Sequence, residues 1–134
     1  MVPNTDLTIY NKVIDPATRN ETLSRAYIPA ALYTETHGAN ILTSGMETAD
    51  SAKIYITFDG IAQASKQGVD PKHFTDPLTQ FTLTRGAIVV KGDKGEYTTV
   101  KQLEQENDHV HMITTVDIHD YGSASLQHFE IGCK

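Results

Sequence analysis

Histidines are the residues in this sequence that most directly suggest chemistry. Three of the six lie in one segment: His109, His111 and His119. Asp117 belongs to the same segment, and in a β-strand these four side chains would share one face, because alternate residues point the same way. His109 and His111 could then bind a metal together, since imidazole nitrogen is a common ligand of zinc and copper. His119 is too distant to join that site, because a strand rises by about 3.3 Å per residue.

A solvated sheet face is the more ordinary explanation of these alternating polar residues, and it is the interpretation that we favour. His128 lies on the segment expected to return beside this strand and could approach the same face. We assign no metal ligand, no cofactor-binding residue and no catalytic residue from this pattern. A small metal-dependent enzyme or ligand-binding β-barrel that uses the face of His109 and His111 is kept as an alternative.

Other kinds of catalytic chemistry have no recognisable motif. Cys133 is the only cysteine, which excludes an internal disulfide and a cysteine-rich zinc site. It is the penultimate residue, where chains usually fray, so we do not expect a nucleophile held beside a base. The sequence contains no Gly-x-Ser-x-Gly elbow, and its glycines form neither a dinucleotide-binding nor a Walker pattern. We therefore expect that the protein is not an enzyme.

The composition predicts that β-strands position these residues. Thr, Ile, Val and Tyr, which are typical of strands, are plentiful, and tryptophan is absent. Alternation and short apolar runs predict strands at 7–14, 25–36, 41–42, 52–58, 87–91, 109–119 and 126–131, with loops at 17–24 and 44–50. Pro29 predicts an edge position or a bulge. A short helix is predicted at 98–105, capped by Thr98 or Thr99. The fold class is therefore mainly β (a β-rich α+β fold), as a small closed barrel whose closure hides the strand edges.

One stretch, from about residue 59 to 80, shows no clear strand period. Residues 71–74 could form a helical turn in which Asp70 is the N-cap and Pro71 the first residue. Long irregular insertions in compact domains are usually functional or disordered. We predict a single domain over residues 1–134 with a long loop insertion at about 59–80.

Tyrosines on strand faces suggest association with another chain. Tyr10, Tyr33, Tyr55 and Tyr97 are expected on exposed faces, where amphipathic aromatic residues are typical of interfaces. They could equally cap the ends of a small barrel. The strand edge implied by Pro29 would suit a subunit that completes its sheet with a neighbour.

Length and charge limit the remaining classes. The chain has 134 residues, enough for one hydrophobic core, and no apolar run approaches the roughly 20 residues that span a bilayer. Eleven Lys and Arg against 17 Asp and Glu give a net charge of −6, which opposes a dedicated binder of duplex DNA. The first residues lack the basic and apolar regions of a secretory signal, so we expect synthesis in the cytoplasm.

Several short segments together resemble a known family. They are 7–12 (LTIYNK), 15–16 (DP), 49–56 (ADSAKIYI), 69–72 (VDPK), 81–83 (FTL), 86–92 (GAIVVKG) and 127–132 (QHFEIG). In this order they resemble small proteins of tailed bacteriophages of Gram-positive bacteria and related prophages, which are often labelled minor capsid or head–tail joining proteins. The segments cover most of the chain at low density, and none is a catalytic signature.

The resemblance implies a structural virion protein, a head-closure (stopper) subunit at the neck of the head–tail connector. Such a subunit lies below the portal and its adaptor, retains the DNA and provides the surface for tail attachment. A tail terminator or another head–tail joining ring protein is the alternative within the same class. The implied fold is an SH3-like β-barrel with one short helix and a long loop directed at the channel.

The resemblance also implies the partners and the location. The protein would form a homo-oligomeric ring of six- or twelve-fold symmetry and contact the portal or adaptor protein and the tail terminator or tail-tube proteins. Genomic DNA would pass without sequence-specific binding, past an acidic lumen that repels its phosphates, and no membrane is involved. The protein would reside in the virion neck after synthesis in the host cytoplasm. The stretch from Ile61 to Gln80 is the candidate gating or ring-forming element.

Overall fold

A computed structural model describes residues 4–14, 16–36, 39–42, 45–48, 51–97, 99–107, 110–123 and 127–134. The strands are β1 (Thr5–Ile14), β2 (Glu21–Thr36), β3 (Ala39–Leu42), β4 (Gly45–Thr48), β5 (Ser51–Thr57), β6 (Gln67–Gly68), β7 (Gln80–Phe81), β8 (Ile88–Lys91), β9 (Val110–His119) and β10 (His128–Cys133). The helices are α1 (Phe58–Ala62) and α2 (Val100–Glu106), and Pro71–His73 form a 3-10 turn. Within these ranges, no helix has the length and apolar character needed to cross a membrane.

Six of the strands form one antiparallel sheet that closes on itself. Their order is β1-β2-β5-β10-β9-β8, and β8 pairs again with β1. The strands β3 and β4 form a separate hairpin, and β6 pairs in parallel with β7. The prediction of a mainly β fold is confirmed. Closure of the pairing satisfies backbone groups that an open sheet would leave at its edges.

The strand β2 changes partner near Pro29. Its residues 21–31 pair with β1 and its residues 32–36 pair with β5. Leu7 lies opposite Ile28 but Thr5 lies opposite Ala31, so two steps along β1 match three along β2. Pro29, which has no N–H to donate, lies in this bulge, as the sequence predicts. The bulge lets one long strand contribute to both halves of the closed sheet.

The strand β8 is buried on both faces, as its apolar run predicts. Val89 belongs to the main core inside the sheet, whereas Ile88 and Val90 pack in a second cluster with Tyr10 and Leu103. Leu103 is supplied by α2, which covers the outer face of β8. The side chain of Thr99 caps this helix by accepting a hydrogen bond from the Gln102 N–H at 3.2 Å. Thr98, the other predicted cap, lies outside the described residues.

Several element bounds differ from the sequence prediction by one or two residues, and three differences have a clear physical cause. Residues 21–24, predicted as loop, belong to β2 because they pair with the end of β1. Residues 45–48, also predicted as loop, form β4. Phe58 begins α1 rather than ending β5, because the Thr57 hydroxyl accepts the Gly60 N–H at 3.0 Å and caps a helix there. In each case a tertiary pairing or a local cap overrides the strand or loop pattern.

The segment between β5 and β8, residues 58–87, is called the insertion below. It contains α1, β6, the 3-10 turn and β7, so the stretch predicted as a long loop at about 59–80 is partly regular structure. The predicted helical turn at 71–74 is present as Pro71–His73 with Asp70 at its N-cap, although the Asp70 side chain makes no capping hydrogen bond.

A buried asparagine joins the end of the insertion to β1. Asn11 Nδ2 donates to the Thr82 carbonyl at 2.8 Å, and the Thr82 N–H donates to Asn11 Oδ1 at 3.0 Å. Asn4 makes the same paired bonds with the backbone of Tyr33, at 3.0 and 2.9 Å, but Asn4 itself is exposed. The two asparagines therefore offer one bonding pattern in two environments.

We predict that Asn11→Ala destabilises the fold much more than Asn4→Ala. Removing the Asn11 amide leaves a buried N–H and a buried carbonyl unpaired, which costs about 2–4 kcal/mol in total. Water can replace the Asn4 amide, so that variant should lose less than about 1 kcal/mol. Urea unfolding of both variants measures the free energy of unfolding. Equal losses would contradict a special role for the buried pair.

Candidate functional site

An apolar groove lies beside the insertion. It has a volume of about 670 Å³. Its apolar walls are formed by Ile61, Val69, Phe81, Leu83, Val116 and Phe129. The first four belong to the insertion, whereas Val116 comes from β9 and Phe129 from β10. This volume lies within the range of about 300–1,000 Å³ usual for ligand pockets.

The groove is open to solvent along its rim. Ile118 lines it and is 51% exposed. Asp70, His73 and Arg85 also line it and are exposed. Arg85 makes no ion pair with any other described residue. A side chain or segment of another molecule could therefore reach both apolar walls and a cation.

The wall of the groove requires a glycine at Gly68. A Cβ there would lie 2.6 Å from Ile61 Cγ2 and 3.3 Å from Phe81 Cζ. The first distance is far below van der Waals contact, so β6 approaches α1 and β7 more closely than any side chain permits. Ile61 and Gly68 line both the groove and a second hollow, which Leu78 also lines.

The insertion is fixed to β2 by two polar contacts. The Ser65 N–H donates to the Tyr27 carbonyl, and the Tyr27 N–H donates to Ser65 Oγ, both at 2.8 Å. Lys66 Nζ donates to the Pro77 carbonyl at 2.6 Å and to Ser24 Oγ at 2.9 Å. Partial burial lowers the pKa of Lys66. These contacts connect both sides of the insertion to β2.

A tight turn of the insertion presents Leu78 to solvent. Asp76 Oδ1 accepts the Leu78 N–H at 3.1 Å, and Asp76 Oδ2 accepts the Thr79 hydroxyl at 2.9 Å. Gln80 Oε1 accepts the N–H groups of Thr75 and Asp76 at 3.0 and 3.1 Å. Leu78 is nevertheless 83% exposed. A single exposed apolar side chain is common on protein surfaces, but here the turn holds Leu78 outwards in a fixed position.

The histidine face predicted from the sequence is divided by a bulge in β9. Gly132 of β10 pairs with Thr115, but Cys133 pairs with Ile113, so Thr114 is an extra residue. Ahead of the bulge, His111 and Ile113 are buried. Behind it Val116 packs against the core, so Asp117 and His119 lie on the outer face. The prediction that His111, Asp117 and His119 share one face is wrong, because one inserted residue reverses the side chains that follow it.

His111 has a carboxylate partner inside the end of the sheet. Its Nε2 lies 3.1 Å from Glu35 Oε1, and its ring centroid lies 6.0 Å from that of Tyr33. His109, its proposed partner in a metal site, lies outside the described residues. The described part of the chain contains no group of three or more His, Cys, Asp or Glu side chains placed to hold a metal.

His119 instead belongs to a polar cluster on the outer surface. Its Nε2 lies 3.0 Å from Glu130 Oε2, and its Nδ1 lies 2.8 Å from the Tyr121 hydroxyl. Its ring stacks on His128 with 4.8 Å between centroids. His128 and Glu130 share the outer face of β10. His128 therefore approaches His119, but on the face opposite to His111.

Comparison with known proteins gives one match. The model of a family of unknown function, DUF6751, matches residues 2–134. The chain belongs to this family. No curated protein and no solved structure matches it. Family membership therefore indicates no activity for the groove, the Leu78 turn or the outer histidine cluster.

Two of the four tyrosines expected at an interface are core residues. Tyr10 is fully buried and Tyr33 is 5% exposed, whereas Tyr55 and Tyr97 are half-buried. The Tyr10 hydroxyl donates to the Gly95 carbonyl. The Tyr33 hydroxyl is buried without a hydrogen-bond partner among the described residues. The prediction of exposed tyrosines is wrong for both, because α2 covers the outer face on which Tyr10 lies and Tyr33 packs in the main core.

Cys133 is also a core residue rather than part of a frayed end. It is 3% exposed and pairs with Ala52 of β5. Burial raises the pKa of its thiol to about 12. A thiol with so high a pKa is a poor nucleophile, because the thiolate is the reactive form.

We predict that the native Cys133 thiol reacts with a disulfide reagent at least about 100-fold more slowly than the same thiol in urea at pH 8. The reagent needs both access and a thiolate, and the fold denies it both. The protein unfolded in urea is the control for reagent quality. Rapid labelling of the native protein would show that β10 does not stay paired near its end.

The buried phenols and thiol also make stability depend on high pH. Burial raises the pKa of Tyr10 to about 12 and raises that of Tyr33 further. The folded state therefore keeps these groups protonated at pH values where the unfolded chain ionises. Their contribution to stability is complete below about pH 8 and falls as the pH rises towards 12.

We predict that Tyr33→Phe reduces this alkaline loss of unfolding free energy. The variant removes one buried phenol, which has no hydrogen-bond partner to lose among the described residues. Urea unfolding between pH 7 and about pH 11 measures the effect. Tyr121→Phe, which removes an exposed phenol, is the matched control and should leave the pH dependence unchanged. An identical pH dependence in wild type and Tyr33→Phe would contradict the prediction.

Proposed function

We propose that the protein is a structural subunit of a tailed-phage head–tail connector, namely a head-closure (stopper) ring protein below the portal and adaptor. The resemblance of segments such as 7–12, 69–72 and 86–92 to that class of proteins is the first support. The observation that carries the proposal is the pair of association features on the insertion, the apolar groove and the exposed Leu78. A small domain with such features can bury them against neighbours.

The fold proposed for this role is a small SH3-like β-barrel. Its support is the closed order of six antiparallel strands around one core, together with the short helix α2. The insertion then serves as the ring-forming or channel-facing element, because its elements are not strands of the closed sheet but are anchored to β1 and β2. The net charge of −6 agrees with DNA passing a surface that repels its phosphates.

A tail terminator or another joining ring of the same neck is the alternative, since it needs the same association features. A small metal-dependent enzyme or ligand-binding β-barrel that uses the face of His109 and His111 also stays an alternative, because His109 lies outside the described residues. Analysis of bound metal separates these classes. Stoichiometric metal that disappears in His109→Ala or His111→Ala would support the enzyme.

The experiment that tests the proposal is cryo-electron microscopy of purified virions of a tailed phage that encodes this chain. We predict density for the chain as a ring between portal and tail. Its height in the neck distinguishes a stopper from a terminator. Mass spectrometry of the same particles is the control for its presence. Intact virions that lack the chain would refute the structural role.

A further inference from the structure

We propose that neighbouring copies of this chain join head to tail, with Leu78 of one copy inserted into the apolar groove of the next. The inference rests on the proposed ring function and identifies the contact from which such a ring would be built. The occupant of the groove is therefore a second copy of this chain.

Leu78 has the properties of an anchor residue. It is 83% exposed, the highest exposure of any large apolar side chain in the described structure. The Asp76 carboxylate holds the turn on both sides of it, through the Leu78 N–H and the Thr79 hydroxyl. Because the turn is already ordered, little conformational entropy is lost when it docks.

The groove has the properties of the receiving surface. Its walls are apolar, and its volume of about 670 Å³ leaves room for one leucine together with the turn that carries it. Its rim is exposed at Ile118, Asp70 and Arg85. A site this open suits a side chain presented by another protein better than a small molecule, because small-molecule sites usually bury about 70–90% of the ligand.

The position of the two features favours a contact between copies. Ile61 and Gly68 line both the groove and a second hollow, whereas Leu78 lines only the hollow. Leu78 therefore does not line the groove of its own chain. Two different surfaces of one subunit make a heterologous contact, which produces a ring when the rotation closes and a filament when it does not.

Charge supports a second copy as the occupant. Asp76 lies two residues before Leu78, and Arg85 at the groove rim makes no ion pair with any described residue. When the turn docks, the carboxylate approaches a rim that carries this cation. The rim also contains Asp70 and His73, so the attraction is local and modest, and added salt should weaken it.

One such contact is weak. A leucine and its turn bury much less than the roughly 1,200 Å² at which stable interfaces begin. The dilute protein is then monomeric, and two copies associate measurably only at high concentration. A ring gains stability because closure makes the last contact intramolecular.

Analytical ultracentrifugation of the full chain from about 10 µM to about 1 mM tests the contact. Leu78→Asp removes the anchor, and Ile118→Asp places a charge in the groove at a residue that is already half exposed. We expect both variants to stay monomeric where wild type associates. Ile14→Asp is the matched control, because Ile14 is also an exposed apolar residue, at 67%, but lies at the end of β1. Circular dichroism checks that each variant is folded.

Mixing the two defective variants gives the sharper result. The Leu78→Asp variant keeps an intact groove and the Ile118→Asp variant keeps an intact Leu78, so an equimolar mixture should recover dimers but no longer species. Wild-type protein that stays monomeric at every concentration would overturn the inference. So would unchanged association of Leu78→Asp, or equal loss of association in Ile14→Asp.

Experiments on virions distinguish failure of this inference from failure of the proposed function. A phage that carries Leu78→Asp and still assembles a normal ring would refute the contact but leave the ring function standing. Association through Leu78 in a protein that is absent from virions would refute the function but leave the contact standing. Incorporation of Leu78→Asp but not of Ile118→Asp would show that another virion protein occupies the groove, and would overturn the proposal.

Discussion

The extra residue in β9 is the constraint on which the candidate site depends. Thr114 has no partner in the register between β9 and β10, and every side chain after it changes face. Val116 consequently turns inwards to complete the groove, while His119 turns outwards. A glycine opposite the bulge is part of the same feature, since a Cβ on Gly132 would lie 2.5 Å from Thr115 Oγ1. Any other residue at this position would force the Thr115 side chain to move.

The sequence predicts the elements whose signals are local. The apolar run of β8, the bulge at Pro29 and the threonine cap of α2 each depend on a few neighbouring residues, and each is confirmed. The bulge at Thr114 has no such signal, because neither glycine nor proline lies in β9. An uninterrupted alternation therefore predicts a single histidine face that does not exist.

The candidate groove cannot be predicted from the sequence, for a related reason. The insertion was recognisable by its lack of period and its two Asp-Pro pairs. Its partners on the sheet, Val116 and Phe129, come from strands that begin more than twenty residues after the end of the insertion. Their role depends on closure of the sheet and on the bulge in β9. The burial of Tyr10 and Tyr33 is likewise decided by tertiary packing, which strand alternation does not contain.

Polar groups inside the fold make the surroundings of the groove rigid. Asn11 joins β1 to the insertion, and Glu35 pairs with His111 beneath the opposite end of the sheet. Breaking such buried pairs is costly, because each unpaired partner loses its solvation without compensation. Flexibility is therefore disfavoured at both ends of the core.

Rigidity of this kind matters for association through small contacts. An interface that buries one leucine gains little free energy, so it cannot also supply the cost of ordering a loop. In this chain the Asp76 carboxylate orders the turn that carries Leu78, and the contacts of Ser65 and Lys66 order the wall of the groove. The conformational entropy of ordering the turn and the wall is therefore lost when the chain folds, not when two copies bind. Several weak contacts between rigid surfaces can then together stabilise a closed ring, whereas the same contacts between flexible loops would not.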